Sequence, residues 1–385
     1  MNRTSLAEIF KQTRTATQAL CAPLSIEDYI PQIVDYASPP KWHLAHTSWF
    51  FEEMILKKFA DDYKEFNRQF SFLFNSYYNH VGRRLDRASR GIITKPSVDD
   101  IYHYRAYVDN AMLVLLNNTA DPAVEYLTTL GIHHEQQHQE LFLTDHKYTL
   151  GQNPIFPCYK HAASLVDDTN SQSGYVELEE GLYSIGHHGE GFHFDNECNQ
   201  HQVYLYPCRI DKALVTNGDY MAFMDAGGYS AFKYWLDEGW QWRNEAGIIA
   251  PLYWHQLEGE WFYFTLAGLK PVNPAAILSH VSYYEANAFA QWKGMRLPTE
   301  FEWEAASNQL PWGQRWEWTN SAYLPYPGLK ITEGAVGEYN GKFMVNQMVL
   351  RGASVATAPH HSRHTYRNFF HPQLQWQYSG IRLAQ

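Results

Sequence analysis

From Ser5 to Leu150, apolar positions recur at helical spacing in stretches near 5–20, 39–60, 97–118 and 122–150, and this period predicts four long helices. An irregular insertion from about Asp61 to Pro96 separates the second stretch from the third. Start signals agree with the period: Pro39-Pro40 precedes the second helix, and Asp121-Pro122 offers an N-cap and a first helical residue for the fourth. Four long helices suggest a bundle, whose core can gather side chains from facing helices into a site. The pattern changes after Tyr148. Asn153-Pro154, Pro157 and the polar run Asp167 to Ser171 read as a linker, and beyond Gly174 the chain becomes short β-like runs between Gly, Pro, Asn and Trp-rich loops. Helical interludes are expected over Asn217 to Ala226, over Ser282 to Trp292 and after Pro298. The predicted class is α+β: a helical bundle over 1–155, a linker over 156–173 and a β-rich domain over 174–385. No internal repeat or low-complexity tract interrupts this plan.

Composition narrows the function classes. A length of 385 residues suits two domains with proper cores. With 18% charged and 16% aromatic residues the chain reads as ordered, and its aromatic density suits packed loops around a ligand pocket. The net charge of −11 has no Lys/Arg run to oppose it, so neither nucleic acid nor an anionic membrane surface is the expected partner; a small molecule is. Cys21, Cys158, Cys198 and Cys208 form no C-x-x-C pair and are too few for a disulfide framework at this length. A reducing cytoplasm is expected. The first twenty residues lack an apolar leader core, and no run of about 18 apolar residues predicts a membrane span.

The chemistry concentrates in the fourth helix, at His134-Glu135-Gln136-Gln137-His138. Residues four apart share a helix face, so His134 and His138 can grip one metal ion. The same letters spell H-E-x-x-H, the zinc-peptidase pattern in which the glutamate is the general base. The second helix offers a third imidazole at His43 or His46, and spacing alone does not choose between them. Three neutral imidazoles on an octahedral ion leave three positions for substrates and dioxygen, as oxygen-activating iron requires; the same three could hold zinc with one water.

Several motifs carry a resemblance that covers nearly the whole chain. Trp42-His43-Leu44-Ala45-His46 with Glu52-Glu53, then Phe74-Asn75-Ser76-Tyr77-Tyr78-Asn79, then His134 to Glu140 resemble the DinB-like helical half of the ergothioneine sulfoxide synthases, which are nonheme iron enzymes. Glu180 to Gly186, Val215 to Tyr220, Gly227-Gly228-Tyr229, Val281 to Ala286 and Arg296 to Glu304 resemble the formylglycine-generating-enzyme-like domain, a C-type-lectin-like fold. The resemblance implies an iron(II)- and dioxygen-dependent enzyme. It would join a thiol to the imidazole C2 of hercynine (Nα-trimethylhistidine) and yield a sulfoxide.

Carried over residue by residue, the resemblance puts the iron ligands at His46, His134 and His138, leaving His43 a supporting or structural role and Glu135 no role as a peptidase base. Tyr77 and Tyr78 match a tyrosine pair in which one phenol supplies a proton or electron near the site; a phenol can donate or accept there. Arg84 and Arg87 align with arginines that hold the thiol substrate's carboxylate, a bidentate pairing suited to guanidinium. Leu85-Asp86 stands here where the family has His-Pro. Gln137, Asn368, Phe369 and Phe370 align with the residues that hold hercynine, whose trimethylammonium group is recognised by aromatic faces. The copper chemistry of true formylglycine-generating enzymes needs a late cysteine pair, and no cysteine follows Cys208. The Phe74 to Asn79 motif resembles the branch that takes free cysteine, favoured over γ-glutamylcysteine. Alternatives in the same class are ovothiol- and selenoneine-type synthases; outside it stand a zinc hydrolase and a non-catalytic lectin-like module.

Overall fold

The computed structural model describes residues 5–76, 78, 82–159, 168–330 and 340–385. Each helical stretch expected in the first half is a helix, and its start follows from local chemistry. The Ser5 hydroxyl accepts the Glu8 N–H and opens α1 (Leu6–Cys21). Pro40 occupies the first position of α2 (Pro40–Phe51), where a missing N–H costs nothing. α2 runs on through a π-helical turn, Glu52–Leu56, into the short α3 (Lys57–Phe59). Within the insertion, Asn67 caps α4 (Arg68–Leu73), and Arg87–Ile92 forms a 3-10 turn. Ser97 and Asp100 make a capping box for α5 (Val98–Asn118). Asp121 accepts from Ala123 N at 2.8 Å at the start of α6 (Pro122–Gly151).

Every residue of α2 is buried, as for a helix enclosed on all sides. α5 packs on α1 and α2. α6 comes close to α2 because position 131 is glycine: a Cβ there would lie 2.5 Å from a ring carbon of Phe51. The buried Glu52 carboxylate ties the insertion to this bundle, accepting from Tyr63 Oη (2.7 Å), Phe66 N (3.0 Å) and Tyr104 Oη (2.6 Å). Among the described residues, no helix is long and apolar enough to cross a membrane.

The chain falls into two compact units that part at Gly151. The second is built of short strands. It opens with β1 (Tyr175–Leu178), β2 (Gly181–Ile185), β3 (His201–Leu205) and β4 (Cys208–Asp211), where β1 pairs with β4 and β2 with β3, both antiparallel. β5 (Trp254–Leu257), β6 (Glu260–Thr265) and β7 (Gly268–Pro271) form a meander. β8 (Trp316–Ala322), β9 (Met348–Gly352), β10 (Asn368–Phe370) and β11 (Ser379–Gly380) make a sheet in the order β10-β9-β8-β11, with β11 parallel to β8.

Helices α7 (Asn217–Asp225), α9 (Tyr283–Trp292) and α10 (Glu300–Ala306) each start on a capping box and match the predicted interludes. α8 (Asp237–Ala246) was not expected. Its interior Gly239 reads as a breaker, but the missing Cβ leaves room for Tyr284, whose side-chain atoms would lie 2.8 Å from one. Arginine–carboxylate pairs hold the interior of this unit. Arg367 meets Glu300 at 2.8 and 2.9 Å, and Arg382 meets Glu317, which also accepts from Trp303 Nε1 at 2.6 Å. The molecule is α+β, as the period change implied.

Candidate metal centre

α2 contributes His46 and α6 contributes His134 and His138, one turn apart on one face. One ring nitrogen from each lies within 4.8 Å of the other two, a grouping that could hold a metal ion. The ring centroids are 5.0 Å (His46–His134), 4.8 Å (His46–His138) and 4.6 Å (His134–His138) apart. Burial holds all three imidazoles in the neutral, ligating form. It pushes the pKa of His134 down to about 3 and those of His46 and His138 well below the usual imidazole range, with neighbouring imidazoles adding to the last two.

Two hydrogen bonds choose the ligating nitrogens. His46 Nδ1 donates to the Phe74 carbonyl at 2.6 Å, which leaves the lone pair on Nε2, a buried atom with no hydrogen-bond partner. His138 Nδ1 lies 2.9 Å from His43 Nδ1, and His43 Nε2 lies 3.1 Å from Asp145 Oδ2. A carboxylate only accepts, so with one proton per ring His43 donates to Asp145 and accepts from His138. His138 then presents Nε2. Of the two candidates on α2, His46 joins the group and His43 supports it from behind. The donor set of imidazole nitrogens suits iron or zinc and excludes neither.

Aromatic rings close the site. Trp42 stacks on His46 at 4.4 Å, Trp49 stacks on its other side at 5.4 Å, and Phe50 lies 4.8 Å from His134. Buried Tyr78 packs against Trp49 at 5.4 Å and is pinned by Asn75, whose side chain accepts from Tyr78 N (3.0 Å) and donates to Tyr78 O (2.9 Å). Tyr77 lies outside the described residues.

Glu135 belongs to a different structure. One residue on from His134 it points about 100° away. There it accepts from Arg14 (2.8 Å), Thr17 (2.6 Å) and Arg105, fully buried. Burial alone would raise its pKa, but Arg105 and Arg14 outweigh burial and hold it at about 2. A carboxylate so committed cannot serve as the base that H-E-x-x-H suggests.

The arginines of the insertion are sorted by burial. Arg84 and Arg87 are exposed, donating to the Ser76 and Tyr36 carbonyls. Arg90, passed over in the sequence reading, is 4% exposed. It bonds Ser38 Oγ (2.8 Å) and Ser76 Oγ (2.9 Å), and its guanidinium stands 3.4 Å over the Trp42 ring. Its Nε has no partner, and no carboxylate among the described residues bonds it directly. Burial, reinforced by Arg87, pushes its pKa well below the usual guanidinium range. The available signal was its three-residue spacing from Arg87, and sequence does not tell which of two such arginines turns inward. Asp145 was also missed, although it follows His138 by seven residues, the helical repeat that returns to the same face.

Gln137 is half-buried on α6. Asn368, Phe369 and Phe370 are half-buried on β10 of the second unit. There Phe369 stacks on Tyr323 at 4.1 Å and Phe370 meets Trp376 edge-on at 5.0 Å.

Residues 9–142 match the family model of the DinB superfamily, and residues 162–312 match that of the sulfatase-modifying factor enzyme 1-like domain. The chain is 28% identical over 353 residues to the hercynine oxygenase of Mycolicibacterium thermoresistibile, covering 77% of each chain. It is 29% identical over 346 residues to that of Mycobacterium tuberculosis, covering 77% of this chain and 80% of the relative. The formylglycine-generating enzyme of Streptomyces coelicolor is 33% identical over 164 residues, 38% of this chain and 51% of that one. The chain thus combines a DinB-like bundle with a formylglycine-generating-enzyme-like domain, and it resembles the hercynine oxygenases along both.

Proposed function

We propose, for a chain with the two-domain build of the hercynine oxygenases, an iron(II)- and dioxygen-dependent sulfoxide synthase that joins a thiol to the imidazole C2 of hercynine. The observation that carries this reading is the trio His46, His134 and His138, the first two buried and the third half-buried, with Nε2 of His46 bare. Bound there, iron(II) supplies the one-electron chemistry that dioxygen needs and coordination positions for the substrates. In the net reaction a C–S bond replaces the thiol S–H and the imidazole C2–H, one oxygen atom goes to sulfur, and the other leaves as water.

The residues around the trio divide the remaining work. Trp42, Trp49 and Phe50 exclude water and keep the ligand rings in place, which preserves the neutral imidazoles. Arg90, a buried cation without a bonded carboxylate, suits the carboxylate of an amino-acid thiol, with Arg84 and Arg87 as the other candidates on the same segment. Free cysteine is the donor we favour over γ-glutamylcysteine. Tyr78, held by Asn75, is the candidate proton or electron donor, with Tyr77 as its alternative. Gln137, Asn368, Phe369 and Phe370 are proposed for hercynine.

The test is anaerobic loading with iron(II), followed by oxygen uptake and product mass with hercynine plus cysteine, γ-glutamylcysteine or a selenium donor. Hercynine- and thiol-dependent uptake with a sulfoxide product is expected. Zinc as the functional metal, with oxygen-independent turnover, would sink the proposal. In Tyr78→Phe, oxygen should be diverted to the thiol itself, giving a sulfinic acid; unchanged product ratios would remove Tyr78 from the mechanism.

A further inference from the structure

We infer that Asp145 and His43 form a positioning relay that fixes the ring and tautomer of the metal ligand His138. The inference rests on the metal reading of the trio and goes beyond it, to residues that touch neither metal nor substrate. Its geometry is continuous. Asp145 Oδ2 accepts from Ser38 N at 2.8 Å, which anchors the carboxylate to the segment that leads into α2. The same oxygen lies 3.1 Å from His43 Nε2, and His43 Nδ1 lies 2.9 Å from His138 Nδ1. Asp145 and His43 are 2% and 3% exposed, so water does not compete for these bonds. The carboxylate accepts, His43 passes its acceptor to the far side of its ring, and His138 must direct its lone pair toward His46 and His134.

The relay gives His138 a support unlike that of His46. His46 leans on a neutral backbone carbonyl of Phe74, whereas His138 leans, through an imidazole, on an anion. An anionic support makes the ligand nitrogen more electron-rich and favours the more oxidised metal. Ser38 links the relay to Arg90, because the residue whose N–H binds Asp145 also accepts from Arg90 through its hydroxyl at 2.8 Å. His138 and the buried guanidinium are thus held by one hydrogen-bonded chain.

The test uses the full chain freed of metal, titrated with Co(II), whose visible spectrum reports coordination, and anaerobically with Fe(II). Wild type should bind one ion per chain, and His46→Ala should bind none tightly. Asp145→Asn keeps shape and loses charge; His43→Phe keeps a ring and loses both nitrogens. Each should weaken binding by roughly 10- to 100-fold, change the Co(II) spectrum and shift the Fe(III)/Fe(II) potential upward. Imidazole added to His43→Ala should restore much of the affinity. If Asp145→Asn and His43→Phe bind with wild-type affinity, spectrum and potential, the relay is refuted while the metal site stands. If wild type binds neither ion, it is the metal reading that fails. Should His43→Ala not fold, Asp145→Asn carries the test alone.

Discussion

On one face of α6 the Glu135 carboxylate meets Arg14, Arg105 and Thr17, all buried; on the next, His134 and His138 face His46 across the bundle. The two clusters differ in what their polar atoms have found. Around Glu135 charges of both signs are paired, as they are at Arg367–Glu300 and Arg382–Glu317 in the second unit. Around the imidazoles, lone pairs converge without an opposing donor at His46 Nε2. A buried polar group that is satisfied holds helices together, while buried acceptors that converge on one point mark the place of a ligand.

That contrast breaks most sharply if each cluster is deleted in turn. His46→Ala, His134→Ala and His138→Ala are each expected to abolish tight metal binding and turnover while the bundle stays folded, because no charge loses its partner. Metal analysis and circular dichroism on the same samples check both halves. Loss of fold would place the trio with the structural clusters. His43→Ala should keep the ion under excess metal and lose affinity only.

Glu135→Ala should do the reverse. It strands Arg105 in the interior, while Arg14 keeps Asp109 at 2.6 Å, and breaking such a buried pair costs about 3–5 kcal/mol. Urea denaturation measures the loss, and the protein that remains folded should still bind metal. If Glu135→Gln instead removed turnover at unchanged stability, Glu135 would be acting as a base and the two clusters would not be distinct.

This division explains what the sequence could show. Periodicity revealed the four helices and the change of fold type, because burial of one stripe per helix writes directly into the order of residues. The pair His134 and His138 was legible through the helical repeat alone. Choosing His46 over His43 was not, since both sit on a helix buried on every side and the choice is made by the Phe74 carbonyl and Asp145, distant in sequence. Glu135 was misleading by spacing for the same reason: H-E-x-x-H fixes which residues are four apart and says nothing about the arginines on α1 and α5. Arg90 escaped because exposure, which separates it from Arg84 and Arg87, depends on how the insertion folds back.

A buried imidazole outside the trio sharpens the comparison further. His146, 3% exposed and stacked near Phe142, has its pKa pushed down to about 4 by burial. Its folded pKa lies below the unfolded value, so the unfolded chain binds more protons between the two. Stability is therefore complete above about pH 6.5 and falls as pH drops toward 4, by about 3 kcal/mol in all. His146→Phe should flatten that part of the profile, read by denaturation at pH 7 and pH 4.5, and leave metal content unchanged. Loss of metal would show that burial alone does not separate structural from ligating histidines.

The smallest expected effect concerns the cations. An exposed guanidinium shares a carboxylate with water, whereas one buried against the Trp42 ring does not, so the thiol's carboxylate should gain most from Arg90. Arg90→Met, which keeps the stem over the indole, is expected to raise KM for cysteine by roughly ten- to a hundredfold, as for a charge-assisted hydrogen bond of about 1.5–3 kcal/mol. KM for hercynine should hardly change. Arg84→Ala and Arg87→Ala measured beside it decide which cations of the segment take part: a tenfold or larger rise in either assigns that residue to the carboxylate, and wild-type values in both leave Arg90 alone. Free cysteine offers one carboxylate and γ-glutamylcysteine two, so a site built on one buried cation should prefer the shorter donor. A higher kcat/KM with γ-glutamylcysteine would overturn that preference, and it would point to the exposed arginines as the holders of the second carboxylate.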